Sequence, residues 1–412
     1  MKIVVIGGGP AGMMAAGQAA KAGANVILVE KNLRLGKKLA ITGKGRGNVT
    51  NAAEIEEMIQ QYPGNGTFLY GPLYRFTNDQ LRQFLLDLGV PTVVERGGRV
   101  FPESQRAQDV VDALTQWLQN QGVQVQLGKQ VTKLIITEGG EIRGIVCDEE
   151  EIAADAVIIA AGGASYPATG STGDGYRLAQ AVGHTIVPTR PALVPLETEE
   201  NWVRELTGVA LKNVTAKLTV KGRVVAEEFG EMLFTHYGVS GPIILTISRE
   251  AVNALVKKQK PQLHLNLKPA LTREKLDARL LRDFENNIRK QFKNSLNDLL
   301  PQRLIETIIM LSGIDPELPV NQITKAQREA LLTALTDLTL NIKSMRSLRE
   351  AIVTAGGVAV KEIQPTTMAS KLVGGLYFAG EVIDIDGNTG GYNLQAAFAT
   401  GFVAGLSAAQ QA

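Results

Sequence analysis

Gly7, Gly9, Gly12 and Glu30 have the residue types and the spacing to hold a dinucleotide. Gly7 permits a sharp turn out of a strand, Gly9 lets the backbone approach a pyrophosphate, and Gly12 lets a helix pack tightly on a sheet. Pro10 and Ala11 open that helix, whose free amides and positive dipole end suit an anion. Glu30 stands eighteen residues beyond Gly12, where a carboxylate can accept hydrogen bonds from an adenosine ribose. An acid there, with no arginine in its place, argues against a 2′-phosphate. Lys31 follows at the same tip.

The elements that must position these residues are readable around them. Residues 2–6 are a β-branched run, Met13–Lys21 is a small-residue segment, and Val26–Val29 is a second apolar run, so the unit reads strand, turn, helix, strand. A glycine-rich turn in any α/β protein shares the glycines, but not the flanking strand, helix and terminal acid together. The unit grips the ADP half common to NAD and FAD and does not choose between them.

The far end of the chain supplies the choice. Gly375–Glu381 is a short apolar strand closing on Gly380-Glu381, followed by Asp386 and a small-residue helix expected over Ala396–Leu406. A strand ending Ala-Gly-Glu near the C-terminus is similar to the FAD motif of glutathione-reductase-type flavoproteins. That resemblance implies FAD as cofactor, with Glu381 or Asp386 meeting its ribityl or pyrophosphate region and the backbone of Gly391, Tyr392, Asn393 and Leu394 facing the flavin. Ala156–Gly163 is another buried strand ending in glycines, and the resemblance places Ala161, Gly162 and Gly163 beside the cofactor and Val131 beside adenine. The strands expected over Gly122–Leu127, Val131–Thr137 and Ile142–Val146 feed that return.

Further segments together resemble the BaiN/YhiN family of bacterial flavoproteins, also called NAD(P)/FAD-dependent or aminoacetone-oxidase-like. They are Gly36–Asn48, Gly98–Pro102, Ser165–Gly175, Leu233–Pro242 and Asp386–Asn393, spread over nearly the whole chain. The family loop commonly reads Gly-Arg-Cys-Asn, whereas Gly47 stands here between Arg46 and Asn48, so a thiol mechanism at that spot is excluded. Lys38 and the loop of Thr42, Gly43, Gly45, Arg46, Gly47 and Asn48 combine cations, glycines and hydrogen-bonding side chains, a composition suited to pyrophosphate or flavin edges. A basic surface loop has the same composition. Ser165–Gly175 is turn-rich before a helix starting near Gly175, and could border the isoalloxazine or cap that helix.

The expected fold is α/β: a Rossmann-like FAD-binding domain of the glutathione-reductase type, discontinuous over 1–190 and 345–412. The insertion is expected as a β-rich domain over 191–270 and a helical subdomain over 271–344. Within it Val214–Val220, Val224–Phe229 and Leu263–Leu267 alternate as strands, while Leu276–Phe292 and Ala326–Leu340 have helical periodicity. The family resemblance implies that this insertion covers the flavin and helps form the substrate cleft.

Composition bounds the function. With 43 basic and 41 acidic side chains the net charge is +2, and no nucleic-acid partner is expected on that balance. One cysteine, Cys147, and three scattered histidines give no support to a disulfide framework or a metal centre. The apolar start is too short for a signal peptide and no stretch has the length of a spanning helix, so a cytoplasmic location without membrane contact is expected. No second GxGxxG has its own βαβ frame, which leaves NAD(P)H as a transient co-substrate docking at the flavin. The function expected is an FAD-dependent oxidoreductase acting on a small organic substrate, with His236, in a glycine-rich turn, and Tyr166 as acid/base candidates. An RNA-modifying flavoprotein and a non-catalytic redox sensor remain open alternatives. The substrate and the oligomeric state are not readable.

Overall fold

The computed structural model describes residues 1–410. The chain divides into two compact units, Met1–Arg190 with the chain from Ala351 onward, and Pro191–Glu350.

The first unit is built on a five-stranded parallel sheet. Its order is Leu376–Phe378, Ala156–Ile159, Lys2–Ile6, Asn25–Glu30 and Gln124–Leu127. A parallel sheet covered on both faces needs strands apolar on both sides, and these are: every residue of Ala156–Ile159 and of Leu376–Phe378 is buried. The strands over Val131–Ile136 and Ile142–Cys147 pair with each other and with Glu150–Ala153 in a separate antiparallel sheet.

The opening helix, Pro10–Lys21, starts with Pro at its first position and buries every residue from Ala11 to Ala19. Such a helix, apolar all round, belongs inside a core. Its partner is the closing helix, Tyr392–Gln410, which begins at Tyr392 and not at the expected Ala396. Glycine allows the contact: a Cβ at Gly401 would lie 2.3 Å from the Ala11 carbonyl oxygen, and one at Gly405 would lie 2.2 Å from that of Ala15. The four-residue spacing repeats on both helices, so one small-residue seam runs between them.

The second unit centres on a closed six-stranded barrel, in the order Leu196–Thr198, Gly238–Ser240, Arg223–Thr235, Ala210–Val220, Pro261–Asn266 and Leu338–Met345. Closure joins the last strand to the first at Leu196 and Met345. Along Ala210–Val220 the inward residues are Leu211, Val214, Ala216 and Leu218, all buried. Pro242–Val256 is a helix with Pro242 at its first turn, as the sequence predicts. The helices Arg273–Asn286, Gln302–Ser312 and Lys325–Thr336 share one apolar cluster with the barrel strands.

Two expected helices are shorter than their periodicity suggests. The first ends at Asn286, with Phe292 in a separate 3-10 turn. The second ends at Thr336, and Leu338, Leu340 and Ile342 alternate inward on a strand.

Candidate cofactor cleft and its walls

A cleft with about 1410 Å³ of empty space, its mouth included, opens at the C-terminal ends of the parallel strands. Its position follows the rule for open α/β sheets, where ligands bind beyond the carboxyl ends of the strands.

Gly7, Gly9, Pro10, Ala11, Glu30, Lys31, Lys38 and Thr42 line it from the N-terminal part of the chain. Val131, Ala161 and Gly162 contribute from the middle, and Gly380, Glu381, Asn393 and Leu394 from the C-terminal part.

The three glycines of the first turn do different work. At Gly7 (φ +107°) a Cβ would meet the Ala160 carbonyl oxygen at 2.5 Å, and at Gly12 it would meet the Gly7 oxygen at 1.8 Å. The fold itself demands both. At Gly9 a Cβ would meet nothing within 4 Å, yet Gly9 lines the cleft. No protein contact therefore demands glycine at this position. Beyond it the first amides of the opening helix have no intrahelical acceptor, so the residues present fit a pyrophosphate.

Glu30 is buried at the tip of its strand, with one carboxylate oxygen accepting from the Gly8 N–H at 2.7 Å. The other oxygen accepts from the Asn32 N–H at 2.8 Å and from its amide at 2.7 Å. Glu30 therefore fixes the glycine turn as well as facing the cleft. Lys31 reaches to Asp174 and Thr172, both at 2.5 Å. Burial pushes the Asp174 carboxyl up, but Lys31, Arg177 and Thr172 hold it below its ordinary value.

Away from Glu30, Lys38 donates to Glu381 at 2.7 Å and to Ser165 at 2.8 Å. The second oxygen of Glu381 accepts from the Thr354 N–H at 2.8 Å and the Ser165 hydroxyl at 3.0 Å. The Thr354 hydroxyl in turn accepts from the N–H groups of Ala164 and Ser165. Gly163 stands behind this network, where a Cβ would come within 2.8 Å of Glu381. It is a supporting residue and does not line the cleft.

The loop from Gly43 to Asn48 is not part of the lining. Arg46 pairs with Glu95, donates to Gln105 at 2.6 Å and lies 4.1 Å from the centre of the Phe101 ring. The Gly45 oxygen accepts from Ala107, and Gly47 packs on that alanine, 3.0 Å from where its Cβ would be. Asn48, its amide nitrogen facing carbonyls, donates to Thr50 and Val100 and accepts from the Gly391 N–H at 3.0 Å. The Arg46 guanidinium is thus engaged by protein partners.

Gly391 is pressed on the Thr50 oxygen, and the Tyr392 oxygen accepts from Tyr62 at 2.7 Å. Asp386 is buried, and with burial it helps to raise the carboxyl of Asp384. Gly391 and Tyr392 thus set the start of the closing helix, behind Asn393 and Leu394.

Tyr166 is half-buried with φ +51°, next to Ser165. His236 is exposed in the second unit, edge-on to Tyr237 at 4.8 Å. Among the described residues, no group of three or more histidines, cysteines or acids is placed to hold a metal, and no helix is long and apolar enough to cross a membrane.

Sequence reasoning did not single out Asn32, Thr169, Gly170, Ser171 and Asp174 as individual contacts, although all line the cleft. Their signal was the turn-rich run from Ser165 to Gly175. The structure places its cleft-lining residues opposite Asn32 and starts a helix at Asp174, so the run both walls the site and leads into that helix.

A Rossmann sheet, this glycine turn and an Ala-Gly-Glu strand beside the cleft define a flavoprotein oxidoreductase with FAD as its cofactor. The chain belongs to the HI0933-like family: the family model described as HI0933-like protein Rossmann domain matches residues 1–407. It is 33% identical over 412 residues to the 3-dehydro-bile acid delta(4,6)-reductase of Clostridium scindens, covering 100% of this chain and 99% of that one. It is 31% identical over 401 residues to the ribosomal RNA dihydrouridine synthase of Escherichia coli, covering 96% and 95%. Among solved structures, a flavocytochrome c3 fumarate reductase in its open conformation shares the fold with a TM-score of 0.54 and 20% identity, over 99% of this chain and 78% of that one. A 3-ketosteroid delta1-dehydrogenase from Sterolibacterium denitrificans does so with a TM-score of 0.55 and 13% identity, over 100% and 99%.

Proposed function

We propose that this enzyme adds two hydrogens across a carbon–carbon double bond conjugated to a carbonyl in a small cyclic substrate, with NAD(P)H as the electron source. The observation that carries the reading is that relatives matched over the whole chain share this chemistry by name. Delta(4,6)-reduction of a 3-dehydro bile acid and formation of dihydrouridine both saturate such a bond.

Bound FAD supplies the two-electron transfer. The chain's own residues bind and orient. The glycine turn and opening helix would hold the pyrophosphate, Glu30 and Val131 would face the adenosine, and Lys38, fixed by Glu381 and Ser165, contributes a localised cation to the wall. Saturation requires a hydride at the carbon β to the carbonyl and a proton at the α carbon, and charge develops on the carbonyl oxygen meanwhile. A preorganised donor aimed at that oxygen lowers the barrier. Tyr166 and His236 are the residues we propose for proton delivery.

A second reading takes uridine in ribosomal RNA as the substrate, favoured by relatives at 31% and 29% identity that carry that name. Against it stands the net charge of +2.

The test is anaerobic. Protein reduced by NADH or NADPH is mixed with cyclic enones, with dienones or with ribosomal RNA lacking dihydrouridine, and return of the oxidised flavin spectrum is followed. Reoxidation by enones alone supports the first reading, and reoxidation by RNA alone supports the second. A flavin that a donor reduces but that neither enones nor RNA reoxidise would leave a redox sensor. Tyr166→Phe and His236→Ala are expected to leave flavin reduction unchanged, and whichever residue delivers the proton slows reoxidation about 100-fold when replaced.

A further inference from the structure

Residues 164–173 cross from the sheet strand Ala156–Ile159 to the helix Asp174–Ala181 without joining any strand ladder. Apart from the Ala164 and Ser165 N–H groups, which donate to Thr354, and the Gly173 oxygen, which accepts from the helix that follows, the backbone-to-backbone hydrogen bonds of the run stay within it or return to its start: Thr169 to Tyr166, Gly170 to Pro167, and Gly173 to Gly163. Contacts between this run and the Glu30 side of the cleft are made by side chains of the segment after Glu30. The Asn32 amide donates to the Thr169 oxygen at 3.0 Å, and Lys31 bridges Thr172 and Asp174. Gly170 (φ +104°) lies so close to Asn32 that a Cβ would stand 2.4 Å from its amide nitrogen. The ion pair is largely shielded, with Lys31 27% and Asp174 11% exposed. Thr169, Gly170, Ser171 and Asp174 then form one wall of the cleft, with Glu30, Lys31 and Asn32 beside them.

We infer that Asp174 is a positioning residue for the cofactor: through Lys31 it latches the 169–174 wall against the Glu30 tip, and the latch governs how fast FAD leaves. Lys31 has two strong protein acceptors and is held as part of the wall. Asp174 acts through Lys31 and needs no contact with FAD of its own. The inference rests on the cleft being the FAD site.

The test measures the release rate of FAD from the holoenzyme after dilution, by recovery of flavin fluorescence, for D174N, K31M, the double variant and T172V. A charge-assisted, partly buried contact is worth on the order of tenfold, so D174N and K31M are each expected to release FAD roughly tenfold faster. The double variant is expected to be no faster than the faster single, because both break one latch. D174E restores the charge and is expected to restore retention, and added salt accelerates release from wild type and D174E but not from D174N. T172V keeps the ion pair and gives a smaller acceleration of the same sign, which carries the test should D174N fold poorly. Fast release from K31M with wild-type release from D174N would overturn the inference, since Lys31 would then grip FAD itself. Unchanged release from both would also overturn it. Wild-type protein that retains no FAD would instead defeat the assignment of the cleft.

Discussion

At the scale of single residues, Gly9 and Gly12 stand three positions apart in one turn and do opposite jobs. A methyl at position 9 meets no protein atom, whereas one at position 12 drives into the Gly7 carbonyl. Gly9→Val is therefore expected to leave the melting temperature of the FAD-free protein within about 2 °C of wild type, a surface-like change, while weakening FAD binding about 100-fold by filling the space a pyrophosphate needs. Gly12→Val is expected to destabilise the FAD-free protein by about 3 kcal/mol or more, since backbone must shift. Thermal melts with and without FAD check both, and a Gly9→Val protein that binds FAD normally would remove Gly9 from the pyrophosphate site. Glu30 is less clean as a probe. Glu30→Ala would release the Gly8 and Asn32 donors together with any ribose contact, so its loss of FAD would mix loop disorder with lost recognition.

At the scale of elements, the seam between the opening and closing helices is the contact that brings the two ends of the chain together at the cleft. Gly401→Val would set branched carbons against the Ala11 carbonyl, at the same end of the helix that faces the cleft. The expected result is a loss of about 2–3 kcal/mol in stability with a parallel loss of FAD, read by denaturant unfolding and by titration of the cofactor. Substitution at the exposed Lys21 is the neutral control. What the sequence made legible follows the range of the forces involved. The first strand, turn, helix and strand are set by neighbours within thirty residues, and their glycine spacing states the chemistry directly. Leu338 and Leu340 misled because Leu338 falls three residues after Leu335, the spacing that continues a helical face. Their true register depends on pairing with Leu263 and Leu265, some seventy-five residues earlier. The basic loop around Arg46 shows the same dependence on distant neighbours. Its composition matches an anion-binding loop, and only the distant Glu95, Phe101 and Gln105 show that Arg46 is already engaged. The wall at 169–174 was visible as a turn-rich run, but its partners Lys31 and Asn32 lie more than 130 residues away.

At the scale of the whole molecule, the two units carry separate apolar clusters, and every residue lining the cleft belongs to the first. The second unit closes its barrel, which leaves no sheet edge to be covered. Ile186–Ala192 pairs with Val353–Val358, so the chain enters and leaves the second unit along one short ladder. Removing 191–350 and joining the cut ends with a short Gly-Ser linker is therefore expected to leave a folded chain that binds FAD within about threefold of the full protein, a difference under 1 kcal/mol. Saturating FAD, at about 100 times its dissociation constant, should stabilise that shortened chain by on the order of 2.7 kcal/mol. The isolated 191–350 fragment should unfold cooperatively, with a midpoint that FAD does not move. Calorimetry of the three proteins with and without FAD decides the matter: a shortened chain that folds but no longer binds FAD would mean that the second unit contributes to holding the cofactor, and a fragment stabilised by FAD would place part of the site within it.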